Sequence, residues 1–160
     1  MTILSISAYK MALLSEIYNN PKIVEALDSQ QPDVIREEPD TLMYHNLYPY
    51  MRIPETQSIA DSYILLSVDE ERINRNNTTY GVFRTTIWVL AHVDRMQMPE
   101  HFKATRIDYI GEELGRMFNR QRKFGFSEFE LTLSREVLLD TKFLYRELVF
   151  RCNDLRQPVT

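Results

Sequence analysis

The longest alternating segment of the chain is Tyr80-Gly-Val-Phe-Arg-Thr-Thr-Ile-Trp-Val-Leu-Ala-His-Val93. Apolar side chains at every second position are typical of a β-strand with one face in a core. One face carries Phe83, Thr85, Ile87, Val89, Ala91 and Val93, and the other carries Val82, Arg84, Thr86, Trp88, Leu90 and His92. The first set predicts the core face, and the mixed second set predicts a face that is partly covered.

Three other segments, 62–69, 126–137 and 143–152, also have strand-like patterns. In the second of them we expect Phe129, Leu131 and Leu133 to point inward. In the third, the apolar face consists of Leu144, Leu148, Phe150 and Cys152, and the opposite face consists of Tyr145, Glu147, Val149 and Arg151. The last two segments are adjacent in the chain and predict an antiparallel hairpin with one solvated face.

Two regions have the periodicity of helices. Residues 7–28 predict a helix, a kink at Asn20-Pro21 and a second short helix, with Asn20 as N-cap and Pro21 at the first helical position. Residues 105–118 predict an amphipathic helix. Its apolar face consists of Ile107, Ile110, Leu114, Met117 and Phe118.

Residues 42–54 form an aromatic segment, called the arm below. Pro49 and Pro54 exclude a regular helix there and favour an edge strand or an extended arm. Tyrosine and arginine are enriched at protein interfaces. Candidate interface residues are therefore Tyr44, Tyr48, Tyr50 and Arg52, although the arm could equally cover the core of its own domain.

These elements predict an α+β fold with an antiparallel or mixed sheet of about four to five strands and helices packed on one face. A length of 160 residues suits one domain spanning 1–160. Within it we distinguish an N-terminal helical segment (7–28), the arm (42–54) and a core of sheet plus helix (60–155).

Composition excludes several classes of protein. The chain has 19 Lys plus Arg against 23 Asp plus Glu, whereas a general nucleic-acid binder has a basic footprint. Cys152 is the single cysteine, which excludes a disulfide scaffold and a cysteine-based zinc site, and we expect it to be a buried, inert thiol. No apolar run of about 18 residues predicts a membrane span, and we expect no signal peptide.

Catalytic candidates are few. The histidines are His45, His92 and His101, and they lack the spacing of a metal site. His92 and Asp94 share one face at a strand end, and Asp108, Glu112 and Glu113 read as a solvated helix face. A hydrolase or nuclease would need His92, Asp94 and Glu112 to converge. We expect no enzyme activity, cofactor or metal.

One basic cluster consists of Arg116, Arg120, Arg122 and Lys123. Cations at the end of a helix stabilise the helix dipole. The same cluster could contact phosphate or an acidic partner. The sequence leaves both interpretations open.

The order of elements resembles that of the tail-terminator and neck (tail-completion) proteins of tailed bacteriophages. The resemblance covers about residues 7–155, with an N-terminal helix, an aromatic arm, a strand pair, a helix and a closing hairpin. The phrases that resemble the corresponding elements are Thr86-Ile87-Trp88-Val89, Arg106-Ile107-Asp108-Tyr109-Ile110 and Tyr145-Arg146-Glu147-Leu148-Val149-Phe150.

This resemblance implies a structural protein of the virion tail or neck, assembled in the cytoplasm of the bacterial host. Such proteins form a ring, usually a hexamer, that closes the tail tube and joins it to the head while DNA passes through the lumen. The implied partners are further copies of the chain, the tail tube protein and a neck protein. In such a ring, the arm and one sheet edge would supply two different interface surfaces. The alternatives are an adaptor domain that binds a host protein and a small hydrolase.

Overall fold

The computed structural model describes residues 6–54, 59–71, 80–122 and 128–155. The helices of this part are α1 (Ile6–Tyr18), α2 (Pro21–Leu27) and α3 (Arg106–Phe118). The strands are β1 (Leu47–Tyr48), β2 (Ser62–Glu71), β3 (Tyr80–His92), β4 (Glu130–Leu138) and β5 (Phe143–Leu155). The kink between α1 and α2 is as predicted, with the Asn20 side chain accepting from the Lys22 amide at 3.0 Å and Pro21 opening α2.

The strands form one mixed sheet in the order β1-β2-β3-β5-β4. The first strand runs parallel to β2, and every other neighbouring pair is antiparallel. The predicted α+β fold is therefore confirmed. The long strand β3 lies at the centre of the sheet. Strand β1, which is part of the arm, forms one edge, and β4 forms the opposite edge.

The main core lies between the helices and one face of the sheet. Leu13 and Ile17 of α1 and Leu114 of α3 are fully buried against Ile87 and Val89 of β3. The predicted core face of β3 is confirmed from Phe83 to Ala91, all of whose inward residues are buried. The prediction is wrong for Val93, which is 40% exposed, because the chain leaves the strand there and enters a short 3-10 helix at residues 93–95.

The opposite face of the sheet has an apolar cluster of its own. Its buried members are Tyr48, Tyr63, Leu65, Leu90, Phe143 and Tyr145. The arm contributes Tyr48 and Met51 to this cluster, and Trp88 stacks on Tyr145 with ring centroids 4.2 Å apart. The predicted solvated face of β5 is therefore wrong at Tyr145 and Val149, each 8% exposed. The partial covering predicted for this face of β3 is confirmed.

A β-bulge corrects the prediction for β4. The register with β5 shifts between Leu131 and Leu133, so Leu131 pairs with Phe150 but Leu133 pairs with Val149. One extra residue reverses the alternation of side chains. Phe129 is buried as predicted, whereas Leu133 turns to the face away from the helices and is 38% exposed.

A buried polar network joins the arm to the sheet and to α2. Asn46 Nδ2 donates to Asp61 Oδ2 at 2.9 Å and to the Ser62 carbonyl at 2.8 Å. Ser29 Oγ donates to Asn46 Oδ1 at 2.6 Å, and Ser62 Oγ donates to the Leu27 carbonyl at 2.7 Å. Because Asn46, Asp61 and Ser62 are fully buried, each of these bonds satisfies a group that water cannot reach.

A buried arginine joins α3 to α2. The Arg106 guanidinium donates to the Ala26 carbonyl and, through Nε, to the Arg95 carbonyl at 2.7 Å. Burial lowers the pKa of Arg106, and the neighbouring charge of Arg95 lowers it further. Arg95 in turn donates to the Asp28 carboxylate at 2.8 Å, so the end of α2 is held by two arginines.

Replacing the amide of Asn46 is expected to destabilise the fold. Asn46→Ala removes one of the donors to the buried Asp61 carboxylate and the side-chain donor to the Ser62 carbonyl, which costs about 2 to 3 kcal/mol of unfolding free energy. Urea unfolding followed by the fluorescence of Trp88, the single tryptophan, measures this loss. The exposed Asn19→Ala is the matched control and should change stability by less than about 0.5 kcal/mol. Equal stabilities of the two variants would contradict this role of the network.

Candidate functional site

The arm presents a cluster of aromatic side chains and one arginine. Tyr44 and Tyr50 are 55% and 47% exposed, whereas Tyr48 is 5% exposed and packs within its own domain. The Tyr48 ring meets those of Tyr44 and Tyr50 at centroid distances of 6.4 and 5.6 Å, and the Arg52 guanidinium lies 4.6 Å from the Tyr48 centroid. The arm therefore covers its own core at Tyr48. Contact with a partner stays a prediction for Tyr44, Tyr50 and Arg52.

Several contacts fix the arm against the sheet. Strand β1 pairs with β2 through Leu47 and Tyr48, and Lys10 Nζ donates to the Pro49 carbonyl at 2.9 Å. Tyr44 adopts a left-handed backbone with φ of 63°, which is uncommon for a bulky residue. Burial raises the pKa of Tyr48, while the nearby Arg52 charge opposes that rise.

The basic cluster lies at the end of α3 and is partly neutralised. Arg116 pairs with Glu113 at 2.9 Å and with Glu112 at 3.7 Å. Arg122 pairs with Glu128 at 3.4 Å, while the exposed Arg120 makes no ion pair with the residues that the structure describes. Lys123 lies outside the described residues. Both interpretations of this cluster, helix-end charge and partner contact, stay open.

A groove separates α3 from β4 and β5, with a volume of about 590 Å³. Its lining includes Gly111, Gly115, Asn119, Leu131, Ser134 and Leu148. At one end Arg146 donates to Asp108 Oδ1 from Nη2 at 2.7 Å and from Nε at 3.0 Å, and to Ser134 Oγ at 3.2 Å. Sequence reasoning missed this groove. The feature of the sequence that could have indicated the groove is the pair of glycines four residues apart, which leaves one face of α3 without side chains.

The catalytic candidates have structural partners. His92 Nδ1 accepts from the Asp94 amide at 3.1 Å and caps the short helix at 93–95, with the Asp94 carboxylate 3.6 Å away. His45 Nδ1 contacts the Thr41 carbonyl at 2.9 Å, and the His101 ring lies tilted beside that of Phe102, with centroids 4.2 Å apart. Across residues 6–54, 59–71, 80–122 and 128–155, no three His, Cys, Asp or Glu side chains converge as metal ligands.

The acidic residues of α3 differ from one another in their surroundings. Asp108 pairs with Arg146, and Glu112 is exposed as predicted. The prediction of a solvated side chain is wrong for Glu113, which is 7% exposed. It lies beside α2 and accepts from Asn20 Nδ2 at 3.3 Å.

Cys152 is 3% exposed, which confirms its predicted burial. In the part of the chain that the structure describes, no helix combines the length and apolarity needed to cross a bilayer.

The two groove glycines are expected to respond oppositely to alanine. A Cβ at Gly111 would lie 2.7 Å from Arg146 Cδ, whose side chain is held by Asp108 and Ser134. The overpacking cost can reach about 3 kcal/mol when the neighbour is held in place, and it then outweighs the gain of about 1 kcal/mol in helix propensity. Among the described residues, a Cβ at Gly115 meets only Leu131, at 3.8 Å, so Gly115→Ala should stabilise the protein. Urea unfolding of both variants checks this, and equal stabilities would contradict it.

The raised pKa of Tyr48 predicts a dependence of stability on alkaline pH. The folded state holds the phenol neutral at a pH where the unfolded chain ionises it, so this contribution is complete below about pH 10 and is lost as pH rises through the folded pKa. We expect the thermal midpoint of Tyr48→Phe to fall less between pH 9 and 11 than that of the natural protein. Tyr44→Phe is the exposed control, since Tyr44 is 55% exposed. Parallel curves for Tyr48→Phe and the natural protein would contradict the assignment.

Comparison with known proteins gives one family. A search of curated proteins found no match. The sequence model of the YomW family matches residues 17–152, which include most of the helical layer, the arm and nearly all of the sheet. This family is associated with Bacillus phages, in the yom region of the SPbeta prophage, and indicates a phage origin. The chain therefore belongs to the YomW family of phage-associated proteins.

Proposed function

We propose that the chain is a structural protein of the phage virion that acts as a tail terminator or tail-completion protein. Six copies form a ring that closes the tail tube and joins it to the neck, and DNA passes through the lumen. Membership of a phage-associated family supports the viral part of this proposal. The resemblance in the order of elements supports the place in the tail.

The observation that carries the proposal is the unlike character of the two sheet edges. One edge holds β1 and the exposed aromatic arm, and the other holds β4 beside an open groove. A closed ring is built from a heterologous interface, in which two different surfaces of each subunit meet. Surfaces at opposite ends of one rigid sheet suit that requirement.

The charge of the chain suits a lumen that DNA crosses without being held. Proteins that grip DNA place many Lys and Arg side chains on phosphates. Here the formal net charge is −4, and two arginines of the basic cluster, Arg116 and Arg122, face carboxylates. A lumen formed by such subunits would hold few free cations against the DNA phosphates.

The proposal predicts that the purified chain binds isolated tails. Mixed with tails from a phage whose own copy of the gene is deleted, it should cap one end of each tube with a ring of six 19.0 kDa subunits. Negative-stain images and the ability of the capped tails to join filled heads measure this. Bovine serum albumin added at the same concentration controls for non-specific adsorption.

Tails that stay uncapped and unable to join heads would contradict the proposal. Tight binding of the chain to one bacterial protein, with no effect on tails, would favour the adaptor alternative. Turnover of ester or DNA substrates, lost on His92→Ala, would favour the hydrolase.

A further inference from the structure

The outer edge of β4 is open in the described part of the chain. This strand pairs with β5 on one side and ends the sheet on the other. After the bulge the edge continues in regular register from Leu133 to Leu138. An edge strand presents unpaired amides and carbonyls, which bind a further strand when nothing covers them.

The groove lies beside this open edge. It is bordered by α3 on one side and by β4 on the other, and Leu131 and Leu148 form its apolar floor. An extended segment added to β4 would place alternate side chains in the groove, where Gly115 leaves room for them. An edge strand beside a helix-bordered groove is the geometry of peptide recognition by strand addition.

Pairing of β4 with β4 of a second copy fits the charges poorly. A two-fold axis perpendicular to a sheet pairs residues of equal parity, and within the regular segment Leu133–Leu138 two registers join five residues. One of them opposes Arg135 to Arg135, and the other opposes Glu136 to Glu136. Like charges directly opposite one another destabilise a strand pair.

The arm of a second copy fits better. It lies at the opposite edge of the sheet, outside any helix, and it exposes Tyr50, Arg52 and Ile53, the last of which is 67% exposed. Arg52 is the exposed cation of this segment. Glu112 has 65% of its side chain exposed and offers an acid at the groove, where it also pairs with Arg116 at 3.7 Å. The apolar groove floor suits Ile53.

We infer that the groove between α3 and β4 receives the arm segment Tyr50–Ile53 of a second copy, so that subunits join head to tail. This inference rests on the proposed ring and names the two surfaces that meet in it. Each contact uses one arm and one groove, which leaves the other arm and the other groove of the pair free for the next subunits.

Two variants of the full chain test the contact. The arm variant is Tyr50→Ser with Arg52→Glu, which leaves the buried Tyr48 intact. The groove variant is Gly115→Phe, which fills the groove from the side of α3 that borders it. Gly115→Ala is its matched control because its Cβ lies 3.8 Å from Leu131. Circular dichroism and the thermal midpoint verify folding. Glu112→Lys is a second groove variant that leaves the glycines unchanged.

Sedimentation and light scattering up to about 1 mM protein provide the measurement. We expect the natural chain and Gly115→Ala to self-associate, and each of the two variants alone to lose at least about tenfold in association constant. An equimolar mixture should form complexes of two chains and no larger ones, because it contains one intact arm and one intact groove per pair.

Three outcomes would overturn the inference: a natural chain that stays monomeric throughout, a variant that assembles as the natural chain does, or a mixture that stays monomeric. This experiment contains no tails, so it separates the contact from the proposed function. Tails capped normally by the groove variant would overturn the contact and leave the tail role standing. If the natural chain self-associates and the mixed variants form pairs as expected, but the natural chain leaves tails uncapped, the tail role alone is contradicted.

Discussion

The hydrogen bond between Asn46 and Asp61 is the contact on which the placement of the arm depends. Asp61 is fully buried at the start of β2, and its carboxylate also accepts from the backbone amides of Gln30 and Ser62, at 3.1 and 2.9 Å. The Asn46 carbonyl accepts from the Ile64 amide at 2.7 Å, which begins the β1–β2 pairing. One buried carboxylate thereby joins the loop after α2, the arm and the sheet. A buried charged acceptor is costly unless its donors are in place, so this arrangement favours one position of the arm.

That position has consequences for both faces of the sheet. The helices cover one face, and the arm covers part of the other through Tyr48 and Met51. The apolar residues Leu65 and Leu90 consequently lie in a second, smaller core instead of facing water. The same arrangement leaves Tyr44 and Tyr50 half exposed on an element that packing and pairing hold in place. Rigid aromatic side chains of this kind bind a partner with little loss of conformational entropy.

The opposite edge is built differently. The bulge in β4 turns Leu133 away from the helices, and Gly111 and Gly115 remove side chains from the nearby face of α3. A groove therefore remains beside the edge strand β4, with Arg146 fixed at its end by Asp108 and Ser134. The candidate site is accordingly a pair of surfaces at two ends of one sheet. These are the two surfaces that the proposed ring would bring together.

The sequence by itself determined the elements, because the periodicities of 2.0 and 3.6 residues are local properties. It placed the faces of β3, the apolar face of β5, the kink at Asn20-Pro21 and the burial of Cys152. Tertiary structure decided what depends on neighbours distant in the chain. The bulge at Leu131–Leu133 inserts one residue without any local signature, the burial of Glu113 needs α2 beside α3, and the Arg106 and Asp61 bonds join groups far apart in sequence. The groove exists only because α3 packs beside β4, since a space between two elements is a property of neither alone.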